Sequence, residues 1–154
     1  MSKTVGVISD THGLVRPEAL AALAGSDLLI HAGDVGAPHV LDALGRLAPV
    51  RAVVGNVDGS PLAERLPTAL DLELDGVRIH VLHEITKLAR DPRAAGFAVV
   101  VFGHSHRPTI ERREGVLYLN PGSGGPRRLK LPVAVARLHL GGPRVRAEVI
   151  ELEV

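Results

Sequence analysis

Residues 3–12 read KTVGVISDTH, an apolar run that stops at Asp10, with His12 two residues further on. A short apolar run closed by polar residues has the length and pattern of a buried strand, so a strand is expected over Lys3–Ser9. The same figure returns twice. Asp27–Ala32 is largely apolar and stops at Gly33-Asp34, and Pro49–Val54 stops at Gly55-Asn56-Val57-Asp58. Between these runs lie Pro17–Ala24 and Pro38–Leu47, each with helical periodicity and a proline in its first turn. Val40, Leu41, Leu44 and Leu47 form one apolar stripe. Strand, helix, strand, helix, strand implies right-handed crossovers and a parallel sheet.

After Asn56 the pattern turns to hairpins. Thr68–Leu74 and Val77–Leu82 flank Asp75-Gly76, a strong two-residue turn signal. A short helix is expected over Asp91–Gly96 and a buried strand over Phe97–Phe102. Pro108–Arg113 and Val116–Leu119 flank Glu114-Gly115, and Val133–Leu140 and Pro143–Val154 flank Gly141-Gly142. This reads as an α/β fold with two sheets face to face and helices outside. No repeat, low-complexity tract or linker divides the chain, so residues 1–154 are expected to form one domain.

Composition narrows the function classes. The 154 residues are 45% hydrophobic and 23% charged, as in an ordinary globular protein rather than a disordered chain. A chain of this size buries about 68–70% of its unfolded surface. No apolar run reaches the ~20 residues of a membrane span, and the start has no secretory apolar region, which points to the cytoplasm. There are no cysteines, which excludes disulfides, thiolate metal sites and a cysteine nucleophile. The net charge is +1 and aromatics are 2%, which argues against a nucleic-acid-binding module.

The informative residues fall where strands are expected to end. They are Asp10 and His12, Asp34, Asn56, His83, and His104 and His106. Ligands of α/β sheets bind beyond the carboxyl ends of the strands. In extended chain, residues i and i+2 share a face, so Asp10 and His12 are expected to grip one ion, and His104 and His106 one ion or two adjacent ones. Glycine precedes the ligand in Gly33-Asp34, Gly55-Asn56 and Gly103-His104, where close backbone approach is expected. Carboxylate, imidazole and amide oxygen without thiolate suit manganese, with nickel, iron or zinc as alternatives. Two such ions roughly 3.5–4 Å apart polarise a phosphoryl group and turn a water into hydroxide near neutral pH.

The order Asp10-x-His12, Gly33-Asp34, Gly55-Asn56-x-Asp58, His83, Gly103-His104-x-His106 resembles the calcineurin-like metallophosphoesterases. It is most similar to their small single-domain bacterial and archaeal phosphodiesterase branch, from Val5 to about Arg127. Asn120-Pro121-Gly122-Ser123 also resembles that branch. The resemblance implies a four-layer αββα sandwich with two mixed sheets flanked by helices. It implies that Asp10, His12 and His106 hold one divalent ion, that Asn56, His83 and His104 hold a second, and that Asp34 bridges them. The implied activity is hydrolysis of small phosphodiesters by metal-activated hydroxide, with Asp34 and His104 at the reaction. A phosphomonoesterase or nucleotidase is the alternative enzyme, and a non-catalytic protein-binding scaffold the third reading.

Two positions depart from the family pattern. Val57 stands where many larger members have histidine, so no general acid is supplied there and phenolic leaving groups are favoured. Glu84 stands where the family usually has glycine after the ligand histidine. Its side chain has three courses: crowding the site, repelling an anionic phosphate, or turning outward.

The remaining polar residues carry weaker expectations. Asp58 is a candidate for orienting a ligand or the attacking water, or else a turn-former before Gly59. Arg107 and Arg127 are the candidate substrate-binding cations, with Arg128 beside the latter. Asn120 and Ser123 are expected to shape a turn near the site, and His31 to pack behind it. His39, His80 and His139 lie outside the constellation. Nucleic acid enters only as a possible substrate, and the last hairpin, an alternating sheet edge, is the candidate surface for a homodimer.

Overall fold

The structure, a computed structural model, describes residues 2–154. The first third follows the expected alternation: β1 (Thr4–Ile8), α1 (Pro17–Leu23), β2 (Leu28–His31), α2 (Pro38–Gly45) and β3 (Val50–Ala52). A one-turn helix α3 (Leu62–Arg65) then leads to the hairpin β4 (Ala69–Leu74) and β5 (Val77–Leu82). After β6 (Val99–Val101) come the hairpins β7 (Thr109–Arg113) and β8 (Val116–Asn120), then β9 (Ala134–His139) and β10 (Arg146–Glu151).

These strands make two mixed five-stranded sheets. One has the order β10-β9-β1-β2-β3 and the other β4-β5-β6-β8-β7. β1, β2 and β3 are parallel, as crossover helices require. β9 joins antiparallel to β1, with Thr4 opposite His139, so the far end of the chain closes the sheet that the first strand begins. In the second sheet β5, β6 and β8 are parallel, with β4 and β7 as antiparallel edges.

The two-residue strand period decides what lies between the layers. Val5, Val7 and Ile30 of the first sheet, with Val53 just after β3, meet Ile79, Val81, Val99, Val101, Leu117 and Leu119 of the second, all fully or almost fully buried. Neighbouring positions face the other way. Ile8, Leu29 and Val135 pack under Leu23 of α1, Val40 and Leu44 of α2 and Leu62 of α3. Arg137 of β9 reaches the end of α1 and donates to the carbonyls of Ala22 and Ala24, which would otherwise lack helical partners.

The cover on the outer face of the second sheet is thinner. A 3-10 turn, Ile85–Lys87, with Leu88 and Tyr118, packs against Leu82, Val100, Phe102 and Val116. The expected helix over Asp91–Gly96 is instead a series of turns. Ala95 N–H donates to Asp91 O and Gly96 N–H to Arg93 O, but Gly96 takes φ +83° and the chain must enter β6 three residues later. Phe97 closes this face between the guanidinium groups of Arg78 and Arg90, 4.5 and 4.9 Å from its ring centre. The result is the expected α/β sandwich of two mixed sheets. Among the described residues no helix is long and apolar enough to cross a membrane.

Candidate metal centre

The seven predicted ligands come from loops after β1, β2, β3, β5 and β6, at one end of the sandwich. The loops are laced together by main-chain bonds. Asp10 N–H donates to Gly33 O, His12 N–H to Asp34 O and Gly103 N–H to His83 O, all at 2.9–3.0 Å.

Asp10 is fully buried. Its Oδ2 accepts from Ser9 Oγ at 2.7 Å and from His104 N–H at 3.0 Å. Its Oδ1 has no hydrogen-bond partner among the described residues. That oxygen faces three imidazole nitrogens: His106 Nε2 at 3.4 Å, and His12 Nε2 and His83 Nε2 at 3.9 Å. Burial pushes the Asp10 carboxyl up from its ordinary value, and the Ser9 hydroxyl and the His83 charge only partly oppose this.

Asp34 repeats the arrangement. Oδ1 accepts from Val57 N–H at 3.0 Å, while Oδ2 faces His83 Nε2 at 3.2 Å and His12 Nε2 at 3.8 Å. Burial acts to raise this carboxyl, but the bonds to His83 and Val57 hold it below the usual range. His83 Nδ1 lies 2.7 Å from Ala32 O. A carbonyl only accepts, so Nδ1 carries the hydrogen and Nε2 is left bare when the ring is neutral. Burial opposes protonation of His83, but its bonds to Asp34 and Ala32 raise its pKa.

His12 Nε2 and His106 Nε2 lie 3.3 Å apart. His106 is buried, and that burial, with the Arg128 charge second, lowers its pKa to about 4. Asn56 and His104 stand at the more open side. Asn56 Oδ1 is 3.2 Å from His104 Nδ1, and Glu84 Oε1 is 3.5 Å from His104 Nε2. Glu84 therefore neither lies across the ligands nor turns fully outward, and its other oxygen accepts from Thr86 Oγ1 at 2.9 Å.

The backbone corrects one expectation. Asp10, His12, Asp34, His104 and His106 all have φ between 48° and 74°, in the left-handed region that non-glycine residues rarely enter. Asp10 and His12 converge through this turn geometry, not through the alternation of extended chain, and so do His104 and His106. The preceding glycines matter for space. A Cβ on Gly55 would lie 2.1 Å from Asp34 N and Oδ1, and one on Gly103 would lie 2.1 Å from Ser9 Oγ.

A buried support stands behind the ligands. His31 Nε2 is 2.9 Å from Thr11 Oγ1, which donates to Val35 O, and His31 Nδ1 accepts from Gly33 N–H. Burial lowers the His31 pKa to about 3, so it stays neutral. Asp58 joins two of the loops that carry the predicted ligands. Its carboxylate accepts from the N–H groups of Val35, Gly36 and Gly55 at 2.8–3.2 Å, clamping the Asp34 loop to the Asn56 loop. Asn120 Nδ2 donates to Gly103 O, and Ser123 Oγ lies 3.1 Å from Asp10 O.

The predicted substrate cations are not drawn in. Arg107 lines an outer hollow with Leu129, Lys130 and Leu131, and Arg127 is exposed. Among the described residues neither forms an ion pair or side-chain hydrogen bond with a ligand. Arg128 is the cation that bears on His106, and nothing in the sequence separates it from its neighbour. His80 and His139 are used elsewhere, against Asp71 at 2.7 Å and Glu148 at 3.0 Å. His39 is in α2, outside the cluster.

The site fits divalent cations on its own geometry. A buried carboxylate oxygen without a donor is costly, and here Asp10 Oδ1 is such an oxygen and faces three imidazole nitrogens. Ligand atoms of Asp10, His12 and His106, and of Asp10, Asp34 and His83, each lie within 4.8 Å of one another. Asp10 is common to both groups, and Asp34 Oδ2 also reaches toward both His12 and His83.

Comparison with known proteins gives the family and the fold. The sequence model of the calcineurin-like phosphoesterase superfamily domain matches residues 4–142. A probable metallophosphoesterase of Methanothermobacter thermautotrophicus is 35% identical over 158 residues, covering 95% of this chain and 91% of that protein. Among solved structures, vacuolar protein sorting 29 of Cryptosporidium parvum superposes with a TM-score of 0.84 at 20% identity, covering 99% of this chain and 92% of that one. An archaeal phosphodiesterase superposes with a TM-score of 0.75 at 23% identity, covering 96% and 99%. At these identities the structural matches speak to the fold alone.

Proposed function

The chain belongs to the calcineurin-like phosphoesterase superfamily, and on that premise we propose that it is a dinuclear metal-dependent phosphodiesterase acting on small diesters in the cytoplasm. The observation that carries the dinuclear reading is the pair of inward carboxylate oxygens, Asp10 Oδ1 and Asp34 Oδ2, each facing histidines of both ligand groups.

Asp10, His12 and His106 would hold one ion, and Asn56, His83 and His104 the other, with Asp34 between them. Manganese suits this oxygen–nitrogen set, and iron, nickel or zinc also match it. When bound, two divalent ions supply Lewis acidity to the phosphoryl oxygens and acidify a water for attack. The protein's part is to keep the donors fixed and unprotonated. Ala32 O holds the hydrogen of His83 on Nδ1, Val57 N–H holds Asp34 Oδ1, and burial keeps His106 neutral.

Diester preference rests on charge. A monoester dianion needs more positive charge than a diester monoanion, yet Arg107 and Arg127 stand off the ligands and Glu84 brings a carboxylate to the mouth. Val57, 57% exposed beside Asn56, offers no proton to a leaving group, so phenolates should leave faster than alkoxides.

The test is hydrolysis of bis-p-nitrophenyl phosphate by metal-stripped protein. Mn²⁺, Ni²⁺, Zn²⁺ and Mg²⁺ are added back singly, with p-nitrophenyl phosphate run in parallel. The expected result is metal-dependent turnover that favours the diester and falls to background in Asp34→Asn. Preference for the monoester would favour a phosphomonoesterase. Silence with every metal in protein shown to hold ions would favour a scaffold.

A further inference from the structure

His104 differs from the other ligand histidines in its surroundings. Its Nδ1 is within hydrogen-bond reach of Asn56 Oδ1, at 3.2 Å, and its Nε2 is at the longer ion-pair distance of 3.5 Å from Glu84 Oε1. Both neighbours are oxygens without a hydrogen of their own. A neutral imidazole carries one N–H and can serve only one of them. The carboxylate is the stronger acceptor because it is charged, and it is held in place, since Thr86 Oγ1 donates to Glu84 Oε2 at 2.9 Å. With a cation on the Nδ1 side, which repels a hydrogen there, the hydrogen belongs on Nε2, facing Glu84. Nδ1 and Asn56 Oδ1 are then left presenting lone pairs to each other, an arrangement that a cation completes.

The same device operates one loop away with a different partner. The Ala32 carbonyl takes the Nδ1 hydrogen of His83 and leaves Nε2 bare beside Asp34. Ala32 O is main chain, buried and part of the sheet end. Glu84 is a side chain, partly exposed, at the start of the 3-10 turn that covers the outer face. The two histidines are thus oriented from opposite sides, one by the inner wall of the sandwich and one by its rim.

We propose that Glu84 is a positioning residue for the second ion of the pair: it accepts the Nε2 hydrogen of His104, fixes that tautomer and turns Nδ1 into a ligand beside Asn56. Carboxylate–histidine–metal relays of this kind set the tautomer, orient the ring and raise its basicity, and losing the outer partner typically weakens metal binding ~10–100-fold. The assignment rests on the dinuclear reading above. It also answers what a carboxylate is doing at the mouth of a site for anions: its charge is directed at the imidazole, with Thr86 holding it there.

The experiment measures zinc binding to the full chain by chelator competition, for wild type, Glu84→Ala and Glu84→Gln, with ¹⁵N NMR of the histidine rings in the zinc-loaded protein. Wild type is expected to hold two zinc ions and to show His104 protonated at Nε2. Glu84→Ala should keep the tighter ion and bind the weaker one ~10–100-fold less well. Glu84→Gln, whose amide oxygen still accepts, should recover most of that loss. Two ions held equally tightly in Glu84→Ala, or a His104 hydrogen on Nδ1 in wild type, overturns the role of Glu84 and leaves the dinuclear reading standing. Fewer than two ions in wild type overturns both.

Discussion

Asp10 Oδ2 accepts the main-chain N–H of His104 at 3.0 Å, across 94 residues of sequence. This bond ties the loop after β1 to the loop after β6, and so the first sheet to the second. It also divides the labour of one carboxylate. Oδ2 serves structure, through Ser9 Oγ and His104 N–H, and Oδ1 is left for a ligand.

That division predicts a trade between stability and metal binding. The folded pKa of Asp10 is raised by burial, so at neutral pH the ionised side chain opposes folding of the metal-free protein. Asp10→Asn keeps an oxygen for Ser9 and His104, and its amide can donate toward the imidazoles. Metal-free Asp10→Asn should therefore melt higher than metal-free wild type, by about 2–4 °C for each kcal/mol relieved. The gain should vanish below the ordinary carboxylate range, where both states are protonated. Zinc should stabilise wild type strongly and the variant weakly. Thermal melts with and without zinc, at pH 7 and pH 3.5, check all three.

Acid should weaken the metal-free fold through His31 and His106. His31 has a folded pKa of about 3 and His106 of about 4, both below the ordinary 6.5. Below pH 6.5 the unfolded chain binds protons that the folded chain refuses, so stability is full above that value. It falls toward pH 4 and then pH 3, at about 1.4 kcal/mol per pH unit for each group. His31→Gln retains a donor for Thr11 and an acceptor for Gly33. It should flatten the dependence by about one proton, read from urea midpoints between pH 7 and pH 4.

Asp58 should matter without touching substrate. Its carboxylate accepts from three main-chain N–H groups that join the Asp34 and Asn56 loops. Hydrogen bonds to charged groups are worth ~1.5–3 kcal/mol each, and water will replace part of that. Asp58→Ala should lower stability by about 2–4 kcal/mol and weaken binding of the second zinc. Asp58→Asn should fall between, because it keeps one oxygen. A variant with unchanged denaturation and reduced turnover alone would instead point to a direct part in the reaction.

Much of this was readable in the sequence. The three apolar runs ending at Asp10, Asp34 and Asn56 give the parallel core of the first sheet, because burial on both faces leaves an unbroken apolar stretch. The Asp-Gly and Glu-Gly turns mark two hairpins where they occur. What escaped depends on distant contacts. Asp91–Gly96 has a helical start, but one turn cannot propagate into Gly96 and β6. The five left-handed ligand residues carry no sequence mark, since only the surrounding loops hold them there. Arg128 and Arg127 read alike, and the fold alone decides which bears on His106. Glu84 was visible as a departure, but its partner required the position of His104.

The ligand set is divided between the two halves of the sandwich. Loops of the first sheet bring Asp10, His12, Asp34 and Asn56, and loops of the second bring His83, His104 and His106. The first sheet is complete only when β9 docks on β1, with His139 opposite Thr4. A chain still being synthesised therefore has all seven predicted ligands long before the two sheets bring them together. Scattered carboxylates and imidazoles on such a chain have little hold on a dication, so tight capture is expected only after the two sheets have packed together. On the dinuclear reading, bound ions would fasten the seam between the sheets.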